Sequence, residues 1–145
     1  MLAINYPAPN FRIKKENNKD WIFDQIRKRW LLLTPEEWVR QNFVQYLIQV
    51  KNYPPTLISL EKKIRLGELD KRFDILVYDK DHRPWMMIEC KEMKVKLDET
   101  VLHQVLRYNI AVPVKFIVIT NGGHAFGWEK SGEQLEMVTE LPSLV

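Results

Sequence analysis

The chain has 145 residues, of which 46% are hydrophobic and 28% are charged, the size and balance of one globular domain with its own core. No run approaches the roughly 18 apolar residues of a membrane-spanning helix, and the N-terminus lacks the pattern of a signal peptide, so we expect a cytoplasmic protein. The one cysteine, Cys90, excludes an internal disulfide. Its apolar surroundings predict a buried, inert thiol.

The net charge of +3 is unevenly distributed along the chain. Residues 129–145 hold four glutamates and one lysine, a net −3, which leaves +6 on residues 1–128. Basic residues cluster at positions 12–15, 27–29, 62–65 and 91–96. Such clusters suit a polyanion, although the solvated faces of an ordinary soluble protein give the same pattern.

Residues 1–33 show no clear periodicity, and we interpret them as an N-terminal extension. The first strong pattern is a helix with Thr34 as its N-cap, Pro35 at its first position and a stop at Pro54. Apolar residues at helical spacing predict its buried stripe, which comprises Val39, Phe43, Tyr46, Leu47 and Val50.

The remaining chain alternates strand patterns with one further helix pattern. The order predicts an α/β domain with an α-β-β-β-α-β core, a mixed sheet flanked by helices, and a C-terminal β-hairpin. We expect a single domain over residues 1–145, with its core at about 34–123 and a hairpin with an acidic tail at 124–145. The predicted elements are strands at 57–66, 73–78 and 84–91, a helix at 98–110, a strand at 114–120 and a ribbon at 124–138.

The second and third predicted strands carry charges inside apolar runs, "FDILVY" and "PWMMIECK". If residues 79–83 form a hairpin turn, antiparallel pairing sets Tyr78 opposite Trp85. The same register sets Asp74 opposite Glu89, so the two carboxylates are expected to lie side by side.

Like charges that face each other across two strands are destabilising. A divalent cation would neutralise Asp74 and Glu89, and Mg²⁺ is commonly held by one or two carboxylates together with waters and phosphate oxygens. Strand alternation places Lys91 on the same face as Glu89, where its ammonium group can orient a water and offset charge on phosphorus. A structural salt bridge of Lys91 with either carboxylate explains the same residues equally well.

At these residues the chain resembles the PD-(D/E)XK nuclease superfamily, and more closely the N-terminal nuclease domain of type I restriction enzyme R subunits. The matching stretches are "TPEEWVRQNF", "KRFDILVYDKDHRPWMMIECK", "HQVLRYN" and "VITNG", which cover about residues 34–123. The resemblance implies a restriction-endonuclease-like fold and Mg²⁺, with Mn²⁺ as a substitute. It implies that Asp74, Glu89 and the backbone carbonyl of Cys90 bind the metal and that Lys91 completes the catalytic set. Phe73 replaces the proline that names the superfamily.

The same resemblance implies that Gln104 and Tyr108, four residues apart on the second helix, place nucleic acid beside the site. A tyrosine on an amphipathic helix is more often part of the core. The first helix offers Glu36 or Glu37 as an additional acid, with Glu37 preferred, although acids at this position also simply favour the positive end of a helix. The five tryptophans could stack on bases, but in a small domain they usually belong to the core.

These observations predict Mg²⁺-dependent hydrolysis of phosphodiester bonds in nucleic acid, most simply by a DNA endonuclease of a restriction system. Two alternatives stand: a non-catalytic nucleic-acid-binding or assembly module with the same fold, and a metal-dependent hydrolase of another phosphate ester. No phosphate-binding loop of the Gly-x-x-x-x-Gly-Lys-Ser/Thr type occurs. Expected partners are DNA and, as the resemblance implies, a helicase or specificity subunit on another chain, or a second copy of the chain, and no membrane.

Overall fold

The computed structural model describes residues 1–144, the side chain of Leu66 excepted. It contains two α-helices and nine β-strands, numbered here in chain order. The helices are α1 (Pro35–Gln49) and α2 (Glu99–Asn109). The strands are β1 (Ile13–Glu16), β2 (Lys19–Asp24), β3 (Arg29–Leu32), β4 (Ile58–Leu66), β5 (Leu69–Tyr78), β6 (Pro84–Cys90), β7 (Phe116–Thr120), β8 (Ala125–Ser131) and β9 (Gln134–Val138).

The main sheet has six strands in the order β4-β5-β6-β7-β8-β9. Neighbouring strands are antiparallel except β6 and β7, which are parallel and are joined through α2. The predicted α/β class and the predicted order of elements from residue 34 onwards are confirmed. The predicted C-terminal hairpin, β8 and β9, is an integral part of this sheet rather than a separate ribbon.

Helix α1 begins as its sequence predicts. The hydroxyl of Thr34 accepts a hydrogen bond from the amide of Glu37 at 3.0 Å, and Pro35 occupies the first turn. Val50 was predicted to be buried, but it is 45% exposed because the helix ends at Gln49 and Val50 leaves the helical stripe. In the described part of the chain, neither helix has the length and apolar character needed to cross a membrane.

The sheet is covered on its two faces by the two helices. Burial of each large apolar side chain contributes roughly 1.5–3 kcal/mol to folding, and both faces are filled with such side chains. The α1 side includes Phe43, Leu47, Ile75, Val77, Met86 and Ile88. The α2 side includes Leu76, Met87, Ile117, Val105, Ile119 and Trp128.

The N-terminal extension is a folded three-stranded antiparallel sheet, β1-β2-β3, which is separate from the main sheet. The sequence interpretation assigned no element here, and the structure corrects it. The strands are only four to six residues long and mix charged with apolar side chains, so their periodicity is weak.

The β5–β6 hairpin follows the predicted register over its central part. Ile75 pairs with Ile88 and Val77 with Met86, as predicted. The predicted partner of Tyr78 was wrong: Tyr78 pairs with Pro84, because the ladder shifts by one residue between Val77 and Tyr78.

Candidate active site

The side chains of strand β5 switch from one face of the sheet to the other at Asp74. The β4–β5 ladder is interrupted at Glu61 and Asp74, and Glu61 has a positive φ of 48°. Ile75 packs on the α1 side of the sheet, whereas Phe73, two residues earlier, packs on the α2 side. In a regular strand these two side chains share a face, so the backbone is distorted at the acidic residue between them. Non-glycine residues with a positive φ, as at Glu61, often occur at functional sites.

The carboxylate of Asp74 lies where β5 and β6 separate. The regular pairing stops at Ile75 and Ile88, one residue before the expected pair of Asp74 and Glu89. Instead, Asp74 Oδ2 accepts a hydrogen bond of 2.8 Å from the amide of Cys90. The side chain of Asp74 is 20% exposed, so this carboxylate is tied to the end of β6 and still reaches solvent.

Glu89 and Lys91 lie at the end of β6 and form a close pair. Lys91 Nζ is 3.5 Å from Glu89 Oε1, and both side chains are about one-third exposed or less. The amide of Lys91 donates to the carbonyl of Thr120 at 2.8 Å, which continues the contact between β6 and β7 by one residue. The backbone that carries the lysine is therefore held in place.

The pKa of Glu89 is raised, first by burial and then by the negative charge of Asp74. The positive charges of Lys91 and Lys71 oppose this shift without cancelling it. Glu89 therefore binds a proton more readily than an ordinary glutamate, because of burial first and the negative charge of Asp74 second.

A buried arginine on α1, Arg40, connects the acids around Asp74. Its guanidinium lies 2.6 Å from Glu37, 3.1 Å from Glu36, 3.1 Å from Glu61 and 3.4 Å from Asp74 Oδ1. The Asp74 contact is the longest of the four and is at the weak end of hydrogen-bond geometry. Arg40 therefore supplies one positive charge to four carboxylates.

The two acids at the start of α1 have different surroundings. Glu37, preferred from the sequence, is buried, and both of its oxygens are taken up by hydrogen bonds from Arg27, Arg40 and Gln41. Glu36 has a half-exposed side chain. Partial desolvation and the charge of Asp74 raise its pKa. The geometry therefore favours Glu36 over Glu37 as an additional acid beside Asp74.

Helix α2 contributes two exposed side chains to the same region. Gln104 and Tyr108 line an open cleft together with Glu89 and Lys91. Tyr108 is 79% exposed, which excludes the alternative that it belongs to the core, and its contact with nucleic acid stays a prediction. The sequence interpretation missed Lys71, whose Nζ lies 4.3 Å from the centre of the Tyr108 ring. No local pattern marked Lys71, because the contact joins β5 to α2 across the cleft.

Cys90 contributes its backbone rather than its thiol. The side chain is 2% exposed, and burial, with a further contribution from Asp74, raises the pKa of the thiol well above its usual value. The prediction of a buried thiol is confirmed. The amide of Cys90 points towards Asp74, and in a regular strand the carbonyl of the same residue points to the same side.

The oxygen donors at this site match the needs of one particular class of metal. No group of three or more His, Cys, Asp or Glu side chains suited to a metal occurs among the residues that the structure describes. A site for zinc normally needs three or four such side chains. Mg²⁺ is held by one or two carboxylates with waters and substrate phosphates, and Asp74 with Glu89, which repel each other in its absence, fits that requirement.

The fold and this cluster define a mixed α/β protein in which paired carboxylates and a lysine meet at the end of a central strand. The model of the family described as "Type I restriction enzyme R protein N terminus" matches residues 35–142, three-quarters of the sequence. The chain therefore belongs to this family, as its resemblance had indicated. A comparison with the curated proteins finds no match.

Proposed function

We propose that the protein is a Mg²⁺-dependent phosphodiesterase that cleaves DNA as part of a restriction system, on a restriction-endonuclease-like core. The observation that carries the proposal is the grouping of Asp74, Glu89 and Lys91 where β5 and β6 separate. Membership of the restriction-enzyme family supports the restriction context. In that context the protein works with DNA and with other subunits of a restriction complex.

In this proposal, Asp74, Glu89 and the carbonyl of Cys90 hold the metal. A bound Mg²⁺ supplies positive charge that offsets the charge developing on the phosphate oxygens. Lys91, 3.5 Å from Glu89, lies close enough to orient a water molecule or to donate a hydrogen bond to a phosphate oxygen. Glu36, half-exposed and under the influence of the Asp74 charge, would be the additional acid that helps to position this water.

The cleft next to these residues supports a nucleic-acid substrate over a small phosphate ester. Tyr108 and Gln104 project into solvent beside Glu89 and Lys91. An exposed tyrosine can stack on a base or contact a sugar, and Lys71 next to it adds a positive charge for a phosphate. A small phosphate ester does not need this extended, open surface.

One observation favours the alternative of a non-catalytic binding module. Arg40 contacts Asp74, and a positive charge beside a metal ligand reduces the need for a cation there. The 3.4 Å separation and the sharing of Arg40 among four acids leave Asp74 only partly neutralised. The pKa of Glu89, raised by burial and then by the charge of Asp74, supports the view that one cation does not offset both carboxylates.

The test is cleavage of supercoiled plasmid and of single-stranded DNA and RNA with Mg²⁺ or Mn²⁺, together with calorimetric titration of Mn²⁺. Asp74→Asn, Glu89→Gln and Lys91→Ala should each reduce cleavage roughly 100- to 1,000-fold, the cost of one preorganised electrostatic group. Two of these changes combined should reduce cleavage only a little more than one change alone. Asp74→Asn and Glu89→Gln should also weaken Mn²⁺ binding, whereas Lys91→Ala should not.

Lys94→Ala is the matched control, since Lys94 is exposed three residues further on and its loss changes the net charge equally. It should cleave like the wild type. Cleavage that survives in the Lys91→Ala and Glu89→Gln proteins would belong to another site or a contaminant. A folded wild type that binds DNA but cleaves none of the substrates would support the non-catalytic module.

A further inference from the structure

The N-terminal sheet has one face that is rich in aromatic and basic side chains. Pairing of β1 with β2 and of β2 with β3, together with strand alternation, places six side chains on this outer face. They are Arg12, Lys14, Trp21, Phe23, Trp30 and Leu32. The opposite face carries Ile22 and Asp24, which are completely buried. The opposite face therefore packs inwards at these two residues, and the outer face is turned away from them.

The cations of the outer face are stacked on its aromatic rings. The guanidinium carbon of Arg12 lies 4.7 Å from the centre of the Phe23 ring and 5.3 Å from that of Trp30. Lys14 Nζ lies 4.5 Å from the centre of the Trp30 ring. Phe23 and Trp30 are themselves in edge contact at 5.5 Å. Aromatic rings and arginine planes arranged in this way are surfaces on which unstacked bases can lie.

The charge of this segment is suited to a polyanion. Residues 11–33 contain seven lysines and arginines against three acids. One of the three acids, Asp24, is buried and bonded by Arg27, so these two charges offset each other and six cations remain against two acids. Of the exposed cations, Arg12 and Lys19 lie on the outer face and Lys28 lies in the β2–β3 turn, whereas Lys15 and Arg29 project from the opposite face. Phosphates bound at the outer face would release counterions and gain affinity.

The N-terminal sheet is connected to the candidate active site through three successive ion pairs. Arg27, in the turn after β2, donates to both oxygens of Glu37 at 3.1 Å. Glu37 is bonded in turn by Arg40, which contacts Asp74. The β2–β3 end of the N-terminal sheet therefore adjoins the acids around Asp74.

We propose that the outer face of β1–β3 binds a single strand of nucleic acid, with bases on the Arg12, Phe23 and Trp30 stack and phosphates on the surrounding cations. A single strand is the occupant because bases inside a duplex cannot reach these rings. The face precedes residues 35–142, the part that matches the family. Binding here does not depend on cleavage.

The experiment measures binding of the full chain to a fluorescent oligo(dT) of about 15 nucleotides, near the size of one single-strand site, in EDTA. Trp30→Leu removes the ring but keeps apolar bulk, and it should weaken binding at least about fivefold, the lower range for one stacked base. The double change Arg12→Gln and Lys14→Gln should weaken it at least as much. Trp30→Leu should weaken the binding of a duplex of equal length less than it weakens the binding of the single strand.

Arg83→Gln is the control, because Arg83 is an exposed arginine in the β5–β6 turn, at the opposite end of β6 from Glu89. It should bind like the wild type. If circular dichroism shows that Trp30→Leu does not fold, the double variant alone tests the proposal. Its changes should not disturb folding, since the side chain of Arg12 is exposed and that of Lys14 is 40% exposed.

Wild-type affinity in both N-terminal variants, or an equal loss in Arg83→Gln, would overturn the proposal, as would a wild type that does not bind the oligonucleotide. The last outcome would leave the face to a protein partner. If binding depends on Trp30 but the wild type does not cleave nucleic acid, the proposed function alone is contradicted. Cleavage that depends on Asp74, with binding indifferent to the N-terminal changes, would remove this inference alone.

Discussion

At the scale of single residues, Asp74 and Glu89 are charged for different structural reasons. Asp74 Oδ2 replaces a backbone acceptor for the amide of Cys90, at the point where the strands separate. It therefore has a structural use as well as a chemical one. Glu89 has Lys91 at 3.5 Å as its nearby cation and remains under the influence of Asp74. Of the two carboxylates, Glu89 is the one whose charge is less well compensated.

This difference gives a prediction for the metal-free protein. Burial and Asp74 raise the pKa of Glu89 in the folded state, so protonation of Glu89 favours folding. Its contribution to stability is complete below the pKa of an unfolded glutamate, about 4.3, and is lost as the pH rises through the folded-state pKa. In EDTA at pH 7, Glu89→Gln should therefore raise the melting temperature.

The measurement is thermal unfolding of the wild type and Glu89→Gln between about pH 4 and pH 8, with and without Mn²⁺. The advantage of the variant should grow with pH in EDTA, and Mn²⁺ should stabilise the wild type more than the variant. Glu99→Gln, an exposed change in α2, is the control. A Glu89→Gln protein that is less stable than the wild type at pH 7 in EDTA would contradict the repulsion between the two carboxylates.

At the scale of elements, α1 is attached to the rest of the molecule by charge as well as by its apolar stripe. Arg40 joins α1 to β4 through Glu61 and to β5 through Asp74. Arg27 joins the N-terminal sheet to α1 through Glu37. These pairs are largely buried, so removal of one partner leaves a charge without compensation.

We therefore expect Arg40→Gln to destabilise the protein by about 3–5 kcal/mol, as for other broken buried ion pairs. The free energy of unfolding from urea titration measures this loss. Arg107→Gln removes an exposed arginine from α2 and should cost less than about 1 kcal/mol. Equal effects of the two changes would show that the Arg40 contacts do not hold α1 in place.

The N-terminal sheet shows how a short element escapes prediction. Its strands are too short to give a clear hydrophobic period. A turn signal was nevertheless present, since Asn17 and Asn18 have φ values of 55° and 61° and connect β1 to β2. Two consecutive asparagines between short alternating segments are typical of a tight hairpin turn with positive φ at both positions.

At the scale of the whole molecule, positive charge is carried by residues 1–128 and negative charge by the final hairpin and tail. Glu129 on β8 and Glu136 on β9 even face each other in the sheet. DNA is therefore expected to approach from the sides that carry the N-terminal sheet and the α2 cleft rather than from β9.

Affinity for duplex DNA should fall steeply with salt, with a slope close to −0.9 per neutralised phosphate in a plot of log K against log salt. Lys91→Ala should keep most of this affinity and lower the slope by about one at most, because it removes one cation among many. Anisotropy titrations over a series of KCl concentrations in EDTA measure both values. Binding that is indifferent to salt would instead favour the small phosphate ester.

The sequence by itself determined the elements that are defined by local signals. Thr34 and Pro35 fix the start of α1, Asp98 caps α2, and the apolar runs of β5, β6 and β7 fix the central strands. Capping, turn formation and hydrophobic periodicity act over a few residues, so the order of elements from residue 34 onwards and the central register of the β5–β6 hairpin could be predicted from the chain alone. The neighbourhood of Asp74 and Glu89 followed from that register.

Only the tertiary structure decided how the side chains of the candidate site are divided among their partners. Whether Glu36 or Glu37 faces Asp74 depends on Arg27, which reaches α1 from the N-terminal sheet. The distortion of β5 at Asp74 coincides with the positive φ of Glu61 in the neighbouring strand. Contacts of this kind join residues far apart in the chain, and no local pattern encodes them because their energies arise only when helix, sheet and N-terminal strands are packed together.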